Sequence, residues 1–330
     1  MKSAAQFRAD AEKTADHYKK IQDQIARSDK KGKDKKKEEQ PMQAGARKYP
    51  VPPVSGQHLE KPGKEADLEL QPMCDAPYYK GSDKLKDKVA IITGGDSGIG
   101  RSVAILFARE GADIAIVYLN EHEDAADTQQ LVEKEGRKCI LIPGNVADTN
   151  FCNYAVQHTI DSLGNPDVLV NNAAFQLHAD IASLTEEHFD CTLKTNLYGY
   201  FHMAKACIPF MKAGSAIVNN GSVTGLLGNS DLLDYSMTKG GIHAFTRSLG
   251  THLIPKGIRV NAVAPGPVWT PLNPSDKEQE DVMKFGSATP MKRPAQPEEI
   301  APAFVFLASA QCSSYITGEI LPVIGGYTGG

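Results

Sequence analysis

The chain has 330 residues, 41% of them hydrophobic, and a formal net charge of −4. Such a length holds one large domain or two small ones with a sizeable core, and the charge predicts no nucleic-acid partner. No apolar run reaches the ~18 residues of a membrane span, and no signal-peptide core follows Met1 and Lys2, so a cytoplasmic protein is expected.

Residues 1–40 carry twelve Lys/Arg and eight Asp/Glu, with a lysine-rich run at 30–37. Phe7, Ala11, Tyr18, Ile21 and Ile25 fall near a heptad seam, with Thr14 filling one position. Three heptads are short for a coiled coil, so a partial helix, frayed or docked on a partner, is expected. The lysine run reads as a solvated tract or as a weak polyanion contact. Seven prolines between 41 and 80 resist helix and predict an extended arm. The expected organisation is therefore 1–40, a charged extension; 41–84, the arm; and 85–330, a single domain. No internal repeats appear. Six cysteines, with no C-x-x-C, read as reduced, buried thiols.

From residue 85 onward, strand and helix patterns alternate, which predicts a parallel sheet covered on both faces. Strands are expected at 89–93, 113–119, 139–142, 168–171, 216–219, 259–264 and 320–323. Helices are expected at 99–110, 125–135, 150–163, 186–211, 234–254 and 297–308. Pro297 followed by Glu298 and Glu299 makes a good helix start. Pro322 lacks a ladder donor, so the last strand belongs at an edge.

Two motifs carry chemistry. After the first strand, Gly94, Gly98 and Gly100 form a G-x-x-x-G-x-G turn into a helix. Glycines there let the backbone approach a phosphate, and the helix N-terminus offers free N–H groups. The spacing differs from the G-x-G-x-x-G fingerprint. Farther on, Tyr235 and Lys239 stand four residues apart, on one face of a helix, with Ser222 thirteen residues before Tyr235. A nearby ammonium favours the ionised phenol, as acid/base work at neutral pH requires. The serine hydroxyl could bind the same substrate oxygen.

Thr93-Gly94-x-x-x-Gly98-x-Gly100, Asn171-Asn172-Ala173, Asn196, Ser222, Tyr235-x-x-x-Lys239 and Pro265-Gly266 together resemble the short-chain dehydrogenases/reductases, over 85–326. The wording around the glycine loop and APGPVWTPL is similar to a bacterial stress-associated subgroup with N-terminal extensions. The resemblance implies a doubly wound Rossmann-type α/β fold, with seven parallel strands in the order 3-2-1-4-5-6-7. It implies that Tyr235 moves a proton to or from the carbonyl oxygen, with Ser222 hydrogen-bonding that oxygen. Lys239 is expected to lower the tyrosine pKa and to bind the nicotinamide ribose. Asn196 would extend a proton relay through its backbone and a water; alternatively it is a helix-interior asparagine at a kink.

For the cofactor, the expected contacts are Gly94, Asp96, Ser97, Gly98, Ile99, Gly100, Asn120, Asn145, Val146, Asn172, Ala173, Tyr235, Lys239, Pro265, Gly266, Val268 and Thr270. Asn145 stands where the family often has aspartate, and Ala174 where it usually has glycine; Ala174 would disfavour a positive φ. Glu121, Glu123 and Asp124 follow the second strand, and Arg101 is the one nearby base, read as a surface residue. NAD(H) is therefore favoured, with NADP(H) open. No metal constellation is found among the histidines, and Asp231 and Asp234 read as rim or helix-start residues. The lid is expected at 269–290, over a small or medium carbonyl compound.

The resemblance also implies a homotetramer, built on Phe201, Met203 and Ile208 and on Phe304, Phe306 and Leu307, with the arm wrapping a neighbouring surface. An oxidoreductase of a carbonyl/alcohol pair is the leading function. A catalytically retired nucleotide-binding or scaffold protein is the alternative, disfavoured by the intact Ser222, Tyr235 and Lys239.

Overall fold

Short β-branched runs separated by amphipathic helices leave both faces of a sheet apolar, so each face must be covered. The computed structural model describes residues 40–327, so the heptad and lysine patterns of the N-terminal extension lie outside the described residues. Its strands are β1 (Val89–Thr93), β2 (Asp113–Tyr118), β3 (Cys139–Pro143), β4 (Val168–Asn171), β5 (Ala216–Asn220), β6 (Arg259–Pro265) and β7 (Ile320–Val323). They pair in parallel in the order β3-β2-β1-β4-β5-β6-β7, the expected doubly wound arrangement. Pro322 sits on the edge strand β7, where its missing N–H leaves no ladder bond unmade.

The main helices are α1 (Gly98–Arg109), α2 (His122–Lys134), α3 (Thr149–Leu163), α4 (Glu186–Leu193), α5 (Gly199–Cys207), α6 (Leu233–Leu253) and α7 (Pro297–Ala308). Strand alternation sorts the core. Ala90 and Ile92 of β1 face the layer of α1 and α7, while Ile91 between them faces α3 and α5. Helix α7 starts as expected, with Pro297 in its first turn and a reciprocal cap between Gln296 and Glu299.

The stretch expected as one helix over 186–211 is interrupted. Between α4 and α5 lies a π-helical turn, Lys194–Tyr198, in which the Gly199 N–H donates to Lys194 O. Asn196 sits in that turn, and its side chain reaches sideways to the backbone of Phe175. A wider turn accommodates that reach without unravelling the helix. Helix α5 stops at Cys207, two residues before Pro209, which cannot continue it.

The arm is extended apart from one 3-10 turn, Glu65–Asp67. Within the chain it docks on the segment that follows β6. Val54 N donates to Met283 O at 3.2 Å, and Leu59 N to Pro274 O at 3.0 Å. Val54, Leu59 and Leu68 of the arm pack with Trp269 and Val282 in a small apolar cluster of their own. Farther along, Ala76 and Leu85 enter the main core. Each large apolar side chain so buried contributes ~1.5–3 kcal/mol, so the arm stabilises the domain it belongs to.

Three of the side chains expected at subunit contacts are likewise used internally. Met203, Phe304 and Leu307 are buried in the chain's own core, because they fall on the sheet-facing side of α5 and α7. Phe201 and Phe306 remain exposed. Of the cysteines, all free, Cys74, Cys139, Cys152 and Cys207 are buried, Cys312 is half-buried and Cys191 exposed. Ala174 is not among the residues with positive φ, so its Cβ costs no backbone strain.

Candidate active site

The carboxyl ends of β1, β4, β5 and β6 converge on one cavity of about 610 Å³, where an open parallel sheet places its ligands. Side chains at those strand ends lock the floor. Thr93 Oγ1 accepts from the N–H groups of Asn172 and Ala173, at 2.9 and 3.1 Å. Asn172 Nδ2 donates to Gly94 O at 2.8 Å, and Asn172 Oδ1 accepts from Asn220 Nδ2 at 2.7 Å. Asn171 donates to Asn219, and Asn219 to Thr246 of α6, tying sheet to helix.

At the glycine loop, close approach decides the residue type. A Cβ on Gly100 would lie 1.8 Å from Gly94 O, so only glycine lets α1 start this near the strand. Gly98 has φ +51, and a Cβ there would meet Thr270 Cγ2 at 2.9 Å. The loop is also braced by the arm, which the sequence reading did not foresee. The Glu65 carboxylate, 1% exposed, accepts from Gly98 N at 2.6 Å and pairs with Arg101 at 2.7 Å. Burial nevertheless raises the Glu65 pKa, the Arg101 charge and the Gly98 N–H pulling the other way. Asp124 in turn accepts from the N–H groups of Glu65 and Ala66.

Arg101 is thus buried, not a surface residue. Besides Glu65, it donates to Asp96 O, Thr128 Oγ1 and Asp124 O. With those donors taken, the one nearby base is not free to meet a phosphate in the cavity. The groups that do face it at this end are acidic. Burial, then the neighbouring charge of Glu121, raises the pKa of Asp96 to about 7. Leu119 and Glu121 line the cavity here, whereas Asn120 is exposed and is not among the lining residues.

At the other side of the floor stand Ser222, Tyr235 and Lys239. Ser222 Oγ accepts from Thr224 N and Oγ1, at 3.1 and 3.0 Å. Lys239 is 1% exposed; its Nζ donates to Asn220 O at 2.7 Å and lies 5.3 Å from the centre of the Tyr235 ring. Burial lowers the Lys239 pKa to about 7. Burial also raises the Tyr235 pKa, against a lowering hydrogen bond from Ser222. The opposing pull on the phenol comes from Ser222 and not from Lys239, whose own pKa burial has lowered.

Of the other expected residues, Asp96, Ser97, Ile99, Asn145, Val146, Ala173, Pro265, Gly266, Val268 and Thr270 line the cavity with Gly94, Gly98 and Asn172. Gly100 and Asn196 support it from behind. Asn196 Oδ1 accepts from Phe175 N at 2.8 Å and its Nδ2 donates to Phe175 O and Thr238 Oγ1, so its side chain positions the loop after β4. Asp234 is a buried residue of the first turn of α6, accepting from Tyr235 N. Tyr200 and Asn220, which hold Lys239, were missed; a lysine so deeply buried always needs acceptors, which was the available signal. No cluster fit for a metal exists among the described residues.

The cavity suits a nicotinamide dinucleotide. The first N–H groups of α1 have no intrahelical partner, and Ile99 among them lines the cavity. The Asn220 Oδ1, also at the wall, is buried without a partner and offers an acceptor. Residues 94–328 match the family described as Enoyl-(Acyl carrier protein) reductase. The chain is 50% identical over 279 residues to general stress protein 39 of Bacillus subtilis, covering 84% of this chain and 97% of that one. It is 47% identical over 273 residues to glucose and ribitol dehydrogenase of Daucus carota, covering 81% and 94%. A short chain dehydrogenase from Burkholderia cenocepacia, solved in complex with NADP, superposes with a TM-score of 0.69 at 30% identity, covering 74% and 98%. With its fold, glycine loop and Ser-Tyr-Lys set in place, the chain belongs to the short-chain dehydrogenase/reductase family of oxidoreductases.

Proposed function

We propose that the protein interconverts a carbonyl compound, aldehyde or ketone, and its alcohol with a nicotinamide cofactor, Tyr235 acting as general acid/base. The juxtaposition of Ser222, Tyr235 and Lys239 on one cavity wall carries this reading. When bound, the cofactor supplies or accepts the hydride. In reduction, the Tyr235 hydroxyl gives its proton to the carbonyl oxygen, and in oxidation it takes the proton back. Ser222 hydrogen-bonds the same oxygen and fixes its direction. Lys239, held by Asn220 O and Tyr200, keeps its amine beside the phenol and next to the ribose position. Because burial favours the neutral phenol, the resting site is poised for reduction. Oxidation, which needs the phenolate, should therefore speed up as pH rises.

NAD(H) is the favoured cofactor. Asp96 and Glu121 present carboxylates where the adenosine ribose would lie, and Arg101 is engaged elsewhere; the relative solved with NADP is the case against it. Exposed Tyr198 and Phe201 on adjoining turns, with exposed Met237 on α6, support subunit pairing, and the edge strand β7 a second contact, giving a homotetramer. Light scattering tests it, a fully active monomer being the outcome against it. No described helix is long and apolar enough to cross a membrane, in keeping with a cytoplasmic enzyme. The decisive experiment follows cofactor oxidation with a panel of aldehydes and ketones. Binding of cofactor without turnover of any compound would instead favour the scaffold reading.

A further inference from the structure

The lid end of the cavity carries a charged cluster that the reaction scheme does not use. Asp276, with no exposed side-chain surface, accepts from Gln176 Nε2 and His178 N at 2.8 Å each, and from the His178 ring. Lys61 of the arm lies 3.7 Å from the same carboxylate. Burial raises the Asp276 pKa, but the His178 and Gln176 hydrogen bonds and the nearby cations outweigh it and hold the carboxyl ionised. Since His178 Nδ1–H donates to Asp276, its Nε2 is left as an acceptor. It takes a hydrogen bond from Lys277 Nζ at 3.0 Å.

Three features single out Lys277. It lines the cavity, as does His178, whereas Asp276 and Lys61 lie behind them. His178 is its sole hydrogen-bond partner among the described residues, so two of its three N–H donors remain for a ligand. The carboxylates of Asp276, Asp281 and Asp231 act on the Lys277 amine from a distance, but none is within ion-pair reach of it among the described residues. Lys277 and His178 line the same cavity as Tyr235.

We propose that Lys277 is a specificity-determining residue, and that the carbonyl substrate bears an anionic oxygen group, a carboxylate or a phosphate, away from its carbonyl carbon. The proposal rests on the carbonyl-reductase reading of this cavity. A neutral hydroxylated tail can accept Lys277's hydrogen bonds but cannot offset its charge, and a partly desolvated ammonium gains most from an opposite charge. Burial lowers the Lys277 pKa, with Asp276, Asp281 and Asp231 opposing it. An anion seated against the amine would add to that opposition.

The test uses the full chain with NADH or NADPH and two matched pairs: butanal against 4-oxobutanoate, and glyceraldehyde against its 3-phosphate. The carboxylate and phosphate arms tell the two anions apart. The wild-type protein should show a kcat/KM at least tenfold higher for the anionic member of one pair. Lys277→Met should cut that ratio tenfold or more through KM, and Lys277→Arg should restore most of it, which a purely structural role would not do. A wild-type preference for the neutral member of both pairs, or an unchanged ratio in Lys277→Met, overturns the inference and leaves the oxidoreductase reading standing. Were no carbonyl compound reduced, that reading itself would fail. Calorimetry then decides, with succinate and inorganic phosphate as probes: loss of binding in Lys277→Met supports the anchor, and equal binding overturns it.

Discussion

The glycine-loop half of the cavity and its lid half are built from different material. In the first, nearly every lining group stands at the end of a strand of the sheet, held by hydrogen bonds such as Thr93 to Asn172 and Asn172 to Asn220. In the second, the groups come from the arm, the loop after β4 and the segment after β6. The arm and the segment after β6 meet in a small apolar cluster around Trp269, outside the main core. The sheet end inherits rigidity from a large core, whereas the lid end depends on a few side chains. A change in the first half should therefore alter chemistry at constant stability, and a change in the second should alter local stability and substrate binding together.

Tyr235→Phe tests the first half most severely. It should lower turnover by ~10²–10⁴-fold, the usual worth of a positioned acid/base, with cofactor affinity nearly unchanged. Lys239→Ala should weaken both. Turnover by Tyr235→Phe at the wild-type rate would sink the mechanism.

Trp269→Ala is the matching change in the lid. Its side chain is 1% exposed and its Nε1 donates to Leu70 O of the arm at 2.8 Å. Truncation should cost ~3–5 kcal/mol locally, read as faster hydrogen exchange in the arm and a raised substrate KM. If exchange in β1 and β4 rises equally, the two halves are one cooperative unit and the comparison fails.

Glu65→Gln joins the halves, because the arm reaches the glycine loop there. Keeping the shape but losing the charge weakens the Arg101 pair and the Gly98 N–H bond, at ~1–3 kcal/mol. The cofactor Kd should rise while kcat holds. An unchanged Kd, measured by fluorescence titration, would confine the arm to the lid.

The smallest effect is in cofactor choice. NADH should bind about tenfold tighter than NADPH, or ~1.4 kcal/mol. The preference should grow as pH rises through about 7, where Asp96 ionises, accepts better from a ribose hydroxyl and repels a 2′-phosphate. The same shift bears on stability. A folded pKa above the unfolded ~3.9 penalises the native state increasingly as pH rises, fully above about pH 7. Asp96→Asn should accordingly be near neutral at pH 4 and stabilising at pH 8, and should flatten the pH dependence of the cofactor preference. An unaltered melting difference between the two pH values would show that folding does not shift the Asp96 pKa.

Much of this was readable in advance, because it is encoded locally. Short, continuous apolar and β-branched runs placed all seven strands to within a residue, and Pro322 marked the edge. The glycine loop follows a strand-turn-helix spacing and Tyr235 and Lys239 share one helix face, while Ser222 was legible through the family resemblance. Tertiary structure alone decided what burial and distant partners do. It set the phenol's pKa above its ordinary value, where one-dimensional spacing suggested a lowering by Lys239. It also turned Arg101 inward onto Glu65, 36 residues earlier in a proline-rich stretch with no local signal. Met203, Phe304 and Leu307 went to the core rather than the surface, since an apolar residue on a helix does not announce which neighbour covers it. Spacing along a chain specifies which side chains share a face; only the packed structure specifies what that face meets, and desolvation and ion pairing follow from the meeting.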